Sequence, residues 1–299
     1  MKKLLLLLFI SSQLFSQKIN FKGKLLDKET NEPVVYANIS FIKANNGTSS
    51  LEDGTFNLKI DKTLLNKKVH ISCLNYKDTI VLAKEIHNKR LYLQPKNFEL
   101  DEIIISKKVD RELLVDKYKR KDLNSGFGSN INIPWIVTKY FKYDSIYIRT
   151  PYLKNVVIHT RKNRKSKSGK FRLRIFSIDS TDNKPKDDLI NNQIIFNVEK
   201  RKKIVQIDLS KYDIEIPKEG LYIGFEWLYL EENFYDVKIT KKNGKKVNYN
   251  VTHISPILKG KIEKNKTTWV FSQGKWHKLK FIHNKNKTIT PAISLTLSN

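Results

Sequence analysis

Residues 45–60, NNGTSSLEDGTFNLKI, decide how the first third of the chain is read. The stretch gathers acids, hydroxyls and glycines into a few positions and then alternates like a strand. A calcium-binding loop of the EF-hand kind needs oxygen ligands at alternate positions closing on a glutamate, and that spacing is missing. The pair Asp53-Gly54 has the chemistry of a tight turn instead. Aspartate accepts from its own backbone two residues on, and glycine tolerates a positive φ. Gly47-Thr48 then ends the preceding loop. Phe56 and Leu58, two residues apart, re-enter a core from one strand face. The stretch is a turn and a strand, and it marks a fold and not an active loop.

Working outward, the flanking segments INFKGKLLD, VVYANISFI, KVHISCL, DTIVLA and RLYLQP are short, apolar in alternation and separated by polar turns. Strands at this spacing, without helical periodicity, predict a small all-β sandwich from Lys18 to about Ser106. Val35, Ala37, Ile39 and Phe41 share one strand face and are expected to point inward. Cys73 is the only cysteine, which excludes an internal disulfide, and its apolar neighbours predict a buried, inert thiol.

Thirteen spaced positions carry a family resemblance: Gly23, Asp27, Thr30, Pro33, Ala37, Ile39, Gly47, Thr48, Asp53, Gly54, Phe56, Ser72 and Tyr76. Together they resemble the carboxypeptidase-regulatory-like domain, a transthyretin-like sandwich common in exported proteins of Bacteroidetes. Asn75 stands where that family usually has glycine. Asparagine enters left-handed turns more readily than most residues, so the departure is compatible. The resemblance implies a fold without catalysis, because the peptidase of that family is a separate zinc domain. ELDEIIISKK, residues 99–108, resembles the stretch that follows this domain in TonB-dependent outer-membrane receptors. The chain of 299 residues is too short to add a plug and a transporter barrel. Ile103 to Ile105 read as an edge for strand addition to a partner, as a last sandwich strand, or as a packed linker.

Residues 109–122, VDRELLVDKYKRKD, place Leu113, Leu114 and Tyr118 near one side of a helix. From Ile133 onward the pattern is β again, in segments such as WIVTKYF, NVVIHT, KFRLRIFSID and GLYIGFEWLYL. The passage from KFRLRIFSID to GLYIGFEWL resembles the C-terminal region of Bacteroidetes proteins that begin with the regulatory-like domain, which implies architecture and no activity. The expected organisation is all-β, with two β-sandwiches in tandem. A signal peptide occupies 1–16, a transthyretin-like sandwich 17–107, a linker with a short helix 108–130, and a jelly-roll-like sandwich 131–299.

The first sixteen residues join two lysines, an apolar run from Leu4 to Ile10 and a small residue, Ser16, in the layout of a secretory signal. That run is too short to span a bilayer, which takes roughly 20 apolar residues. No later segment is long and apolar enough either. Export to the periplasm or the outer membrane follows as the expectation. The formal charge of +27 comes mostly from lysine, since arginine occupies nine positions. Lysine is the weaker choice for bidentate recognition of bases and phosphates. Nucleic acid is therefore not the expected partner; most of this charge reads as a solvated surface, with attraction to anionic glycans or lipopolysaccharide as the alternative.

Catalytic patterns are not legible. His70, His87, His159, His253, His277 and His283 form no HExxH and have no neighbour at metal-ligand spacing. There is no G-x-S-x-G. Asp187, Asp188, Glu231, Glu232 and Asp236 are the acids that would serve a glycosidase. GLYIGFEWLYL sends Leu221, Ile223, Phe225, Trp227 and Tyr229 to one face, read as core. Tyr222 and Glu226 fall on the other face and are the candidates for a stacking surface. Basic runs at 161–170, 200–203 and 241–246 sit between strands as hairpin tips, and Asn243-Gly244 suits a type I′ turn. Arg161, Lys162 and Arg164 of the first tip are candidate ligand contacts. The reading is an exported, non-enzymatic binding or scaffold protein with no cofactor, partnered by an envelope glycan or an outer-membrane protein. A carbohydrate-binding module for anionic glycans and a glycan-active hydrolase are the alternatives.

Overall fold

A computed structural model describes residues 17–96, 110–128, 132–161, 168–243, 245–279 and 286–299. The expected signal peptide, Ile103 to Ile105, Lys162 and Arg164 lie outside these residues. The first seven strands are β1 (Lys18–Asp27), β2 (Asn38–Phe41), β3 (Gly47–Ser49), β4 (Thr55–Asp61), β5 (Lys68–Ser72), β6 (Thr79–Leu82) and β7 (Arg90–Leu93). A single helical turn, α1 (Ala83–Ile86), precedes β7. They form two sheets, β4-β1-β7 and β3-β2-β5-β6. Only the β1–β7 pairing among them is parallel. Phe21, Ile39, Phe41, Phe56, Val69 and Ile71 fill the space between the sheets. Phe21 meets Phe41 edge-on at 5.2 Å, a favoured aromatic geometry.

The 45–60 stretch builds as its chemistry dictates. Asp53 Oδ1 accepts from the Thr55 N–H at 2.9 Å and from its hydroxyl at 2.6 Å. Gly54 has φ +77°, and a Cβ there would stand 2.4 Å from the Leu25 carbonyl oxygen. No side chain fits that turn. Phe56 and Ile60 are buried, with Leu58 packed against the same core. Asp27 has a similar fixing role. It accepts from the backbone of Glu29 and Thr30 and from the Tyr76 hydroxyl. Burial pushes its pKa up, but the Thr30, Glu29 and Tyr76 donors outweigh that, and the carboxyl lies below its ordinary value. Asn75 takes φ +72°. One expectation needs correction. Val34, and not Val35, enters this core, because Tyr36 takes φ +55° and interrupts the alternation before β2.

The second half begins earlier than expected. Strands β8 (Glu112–Val115), β9 (Ser125–Phe127), β10 (Trp135–Phe141), β11 (Tyr152–His159), β12 (Gly169–Ile178), β13 (Pro185–Asp188), β14 (Ile194–Val198) and β15 (Ile204–Asp208) lead into it. Then come β16 (Leu221–Trp227), β17 (Phe234–Asn243), β18 (Lys245–Ile254), β19 (Leu258–Lys264), β20 (Trp269–Ser272), β21 (Lys275–Lys278), β22 (Lys287–Pro291) and β23 (Ile293–Ser298). One sheet runs β13-β12-β16-β10-β20-β21, with β14 also on β12, and the facing sheet runs β15-β11-β23-β8. A three-stranded sheet, β22-β19-β9, and the β17-β18 hairpin complete the unit. The hairpin pairs Lys242 with Lys246 and Asn243 with Lys245, a register shifted by one residue from that of a two-residue Asn243-Gly244 turn.

The helix expected over 109–122 is not formed. Strand β8 stands there, followed by one 3-10 turn, Arg120–Asp122. The open edge of β23 supplies partners for β8, and Leu113 and Val115 alternate inward against the core. Period two wins over period 3.6 because a sheet edge is available to satisfy the backbone.

Leu221, Ile223, Phe225 and Trp227 lie in the large C-terminal core, as their alternation predicts. Trp227 stacks on Trp135 at 4.3 Å, and Phe225 stacks on Phe171 at 4.2 Å. Among the described residues, no helix is long and apolar enough to cross a membrane.

Candidate functional site

The face of β16 opposite that core is covered at its Glu226 end by the N-terminal sandwich. Glu226 is 1 % exposed and lies among cations. Its Oε1 accepts from Arg172 at 3.1 Å and its Oε2 from Arg174 at 3.1 Å. Asn38 of β2 donates to the same Oε1. Arg174 also grips Asp188 with two bonds of 2.6 Å, the bidentate geometry suited to arginine. Arg172 reaches across to the Tyr36 carbonyl at 3.0 Å. Ser49 donates to Asn38 and accepts from the Tyr229 N–H at 2.8 Å. Gln273 donates to the Phe41 and Ala44 carbonyls, both at 2.7 Å. Two cations and two carboxylates, all nearly dry, thus neutralise one another in a seam between the sandwiches. Glu226 is not a ligand contact as the alternation suggested; it is the centre of this seam.

Tyr222 is buried too, at 4 % exposure, and its hydroxyl donates to the Asn183 carbonyl at 2.6 Å. Its strand partner is Tyr140 on β10. That ring is 38 % exposed and lies 5.2 Å from Tyr222. The exposed aromatic is therefore one strand over from the residue that sequence singled out.

Arg161 lies in a different place, which joins two of the basic tips. Strands β11 and β15 pair antiparallel, with His159 opposite Ile204. The Thr160 N–H donates to the Lys203 carbonyl at 2.8 Å and its hydroxyl to the Lys202 carbonyl at 2.6 Å. This pairing brings Arg161 beside Lys203. The Arg161 N–H donates to the Ile257 carbonyl, and β9 pairs with β19 opposite Lys259. Arg120, from the turn before β9, completes the group. Arg120, Arg161, Lys203 and Lys259 line one groove of about 990 Å³, together with His159 and His253. No carboxylate lines it among the described residues. Burial, and then the charges of Arg120, Arg161 and Lys203, hold the Lys259 pKa below its ordinary value. Burial, with Lys259 and Lys139, also lowers His159. The ring nitrogen Nδ1 of His253 is buried without a partner.

The sequence showed Arg161 and the 200–203 run as separate tips, and it gave no sign of Arg120 or Lys259. Contact between the tips depends on strand pairing across more than forty residues, which no local pattern encodes. The acids considered for hydrolysis do not assemble. Asp188 is held by Arg174, Glu232 faces Lys170 at 3.1 Å, and Asp236 accepts from Thr252. Among the described residues, no group of three metal-ligating side chains occurs.

Comparison with known families bears on the N-terminal sandwich. Residues 21–105 match the CarboxypepD_reg-like domain. Asp27, Gly54 and Tyr76 of this CarboxypepD_reg-like domain owe their places to the turn contacts described above. Such domains are regulatory and not catalytic. The match does not extend to the C-terminal sandwich, where the groove lies. No curated protein matches the chain significantly. Among solved structures, tripeptidyl peptidase 2 is similar at 12 % identity and a TM-score of 0.25, over 80 % of this chain and 18 % of that one. The chain thus spans under a fifth of that protein's length, and a likeness at this score supports no argument.

Proposed function

We propose that this is an exported, non-catalytic binding protein of the cell envelope that holds an anionic glycan in the groove of Arg120, Arg161, Lys203 and Lys259. The observation that carries the reading is the convergence of four cations with no carboxylate along the groove among the described residues. Like charges held together are unfavourable until an anion neutralises them. The lysine-rich composition and the signal-like first sixteen residues support an envelope location. The CarboxypepD_reg-like domain acts as a fixed buttress, since its Asn38 amide and Tyr36 carbonyl close over charges already matched within the C-terminal sandwich and leave the groove to that sandwich. A scaffold role beside an outer-membrane assembly is compatible with this, the bound glycan then setting where the protein sits.

Titration calorimetry of the mature chain tests the reading, with dextran sulfate compared against neutral dextran. Dextran sulfate is expected to bind and neutral dextran not to. The pair Arg161→Gln and Lys203→Gln should weaken dextran sulfate about tenfold or more, since charge-assisted contacts are each worth about 1.5–3 kcal/mol. Equal binding of both polymers, or no response to the two substitutions, contradicts it.

A further inference from the structure

Beyond Tyr118 lies a second cavity of about 490 Å³ in which, unlike the groove, acids balance the lysines. Tyr118 forms part of the wall of both. Its hydroxyl accepts from the buried Lys139 ammonium at 2.7 Å. Lys139 in turn pairs with Asp116 at 2.8 Å and donates to the Ile293 carbonyl at 2.6 Å. Where the groove has no acid among the described residues, this cavity sets four carboxylates, Asp116, Asp122, Asp182 and Glu263, against five lysines. Carboxylates and ammoniums in near balance offer hydrogen-bond acceptors and donors with little net field, so the moiety suited to this cavity carries hydroxyls and no net charge.

The remaining wall is aromatic and fixed. Tyr140 offers an exposed face backed by Tyr222, and its own hydroxyl is tied to the Glu219 carbonyl at 2.8 Å. Tyr222 and the Trp269 indole both donate to the Asn183 carbonyl, at 2.6 and 3.0 Å. A ring held this way loses little freedom when a ligand lies on it. The Thr290 hydroxyl, in a side chain 7 % exposed, also lines the cavity and has no partner. A buried hydroxyl left unpaired is costly, and a ligand hydroxyl would satisfy it.

We propose that this cavity is a subsite for an uncharged sugar ring of the same chain whose acidic unit occupies the groove. The ligand class is therefore an acidic glycan that alternates charged and uncharged units, and not a polyanion of any kind. The inference rests on the proposed groove function and adds the unit selectivity to it. Tyr140 is the stacking platform, Thr290 and the carboxylates take the hydroxyls, and Tyr118 separates the two subsites.

The test uses the mature chain with two probes in calorimetry. A hyaluronan oligosaccharide alternates carboxylate-bearing and uncharged sugars, and linear polyphosphate carries charge without sugar. Tyr140→Ala should weaken hyaluronan about tenfold, the scale of one aromatic contact, and leave polyphosphate unchanged. Tyr140→Phe keeps the ring and should retain hyaluronan binding. A melting temperature measured alongside reports that each variant folds. If Tyr140→Ala spares hyaluronan, or weakens both probes equally, the sugar subsite is overturned while the groove stands. If neither probe binds the unsubstituted protein, the groove reading fails and the subsite with it.

Discussion

The chain contains two clusters of cations that sequence alone treats alike, and they could hardly differ more in structure. Arg172 and Arg174 are buried in the seam, and each meets a carboxylate at 2.6–3.1 Å. Arg120, Arg161, Lys203 and Lys259 line a groove with no acid among the described residues. Charge matched inside the protein serves cohesion, because a buried ion is tolerated only with a partner. Charge left unmatched at a surface is available to something outside it. The difference lies in the carboxylate count, and not in how basic each stretch looks.

The largest expected effect comes from breaking the matched cluster. Glu226→Gln leaves two buried guanidiniums without their shared anion, and urea unfolding should show a loss of about 3–5 kcal/mol. A change near zero would mean that the seam is wet or open, and the contrast between the clusters would collapse.

Lys139 is an intermediate case, a buried cation whose acid, Asp116, is half exposed. Burial outweighs that attraction and lowers its pKa from 10.5 to about 8. The folded state therefore holds this proton less firmly than the unfolded chain does. Stability from this group is withheld below about pH 8 and gained as pH rises toward 10.5. Relative to Lys139→Met, the unsubstituted protein should gain about 3 kcal/mol across that window. A stability difference flat with pH would show that Lys139 is better solvated than its position implies.

The smallest effect belongs to the unmatched cluster. Lys259→Gln removes a repelled, half-buried charge and should raise stability by about 0.5 kcal/mol or less, since solvent screens most of the repulsion. A clear loss of stability would mean that Lys259 has a structural partner and that the groove is not free charge.

Much of the fold was legible because it rests on local chemistry. Asp53-Gly54 specifies its turn, Phe56 and Leu58 specify the strand after it, and the apolar half of GLYIGFEWLYL specifies a core face. The same alternation correctly set Tyr222 and Glu226 on the other face. What covers that face at Glu226 is a separate domain, about 190 residues away at Asn38, and no periodicity reports a docking partner. One signal was present: a glutamate on a strand with only apolar neighbours, matched by Arg172 and Arg174 on another such strand, fits a buried network better than a wet surface. Residues 112–115 were misread for the same reason, since the free edge of β23 that turns them into a strand lies at the far end of the chain. The groove was half legible. Arg161 and the 200–203 run were visible as basic tips, but their union needs the β11–β15 register.

The central claim is that four unmatched cations form one anion site. It is tested most directly by the salt dependence of dextran sulfate binding to the mature chain and to Arg161→Gln/Lys203→Gln. A steep fall in log affinity with log salt is expected for the unsubstituted protein. The slope should lessen by roughly one unit for each cation removed, as counterion release requires. A shallow slope, or the same slope in both proteins, would contradict the account.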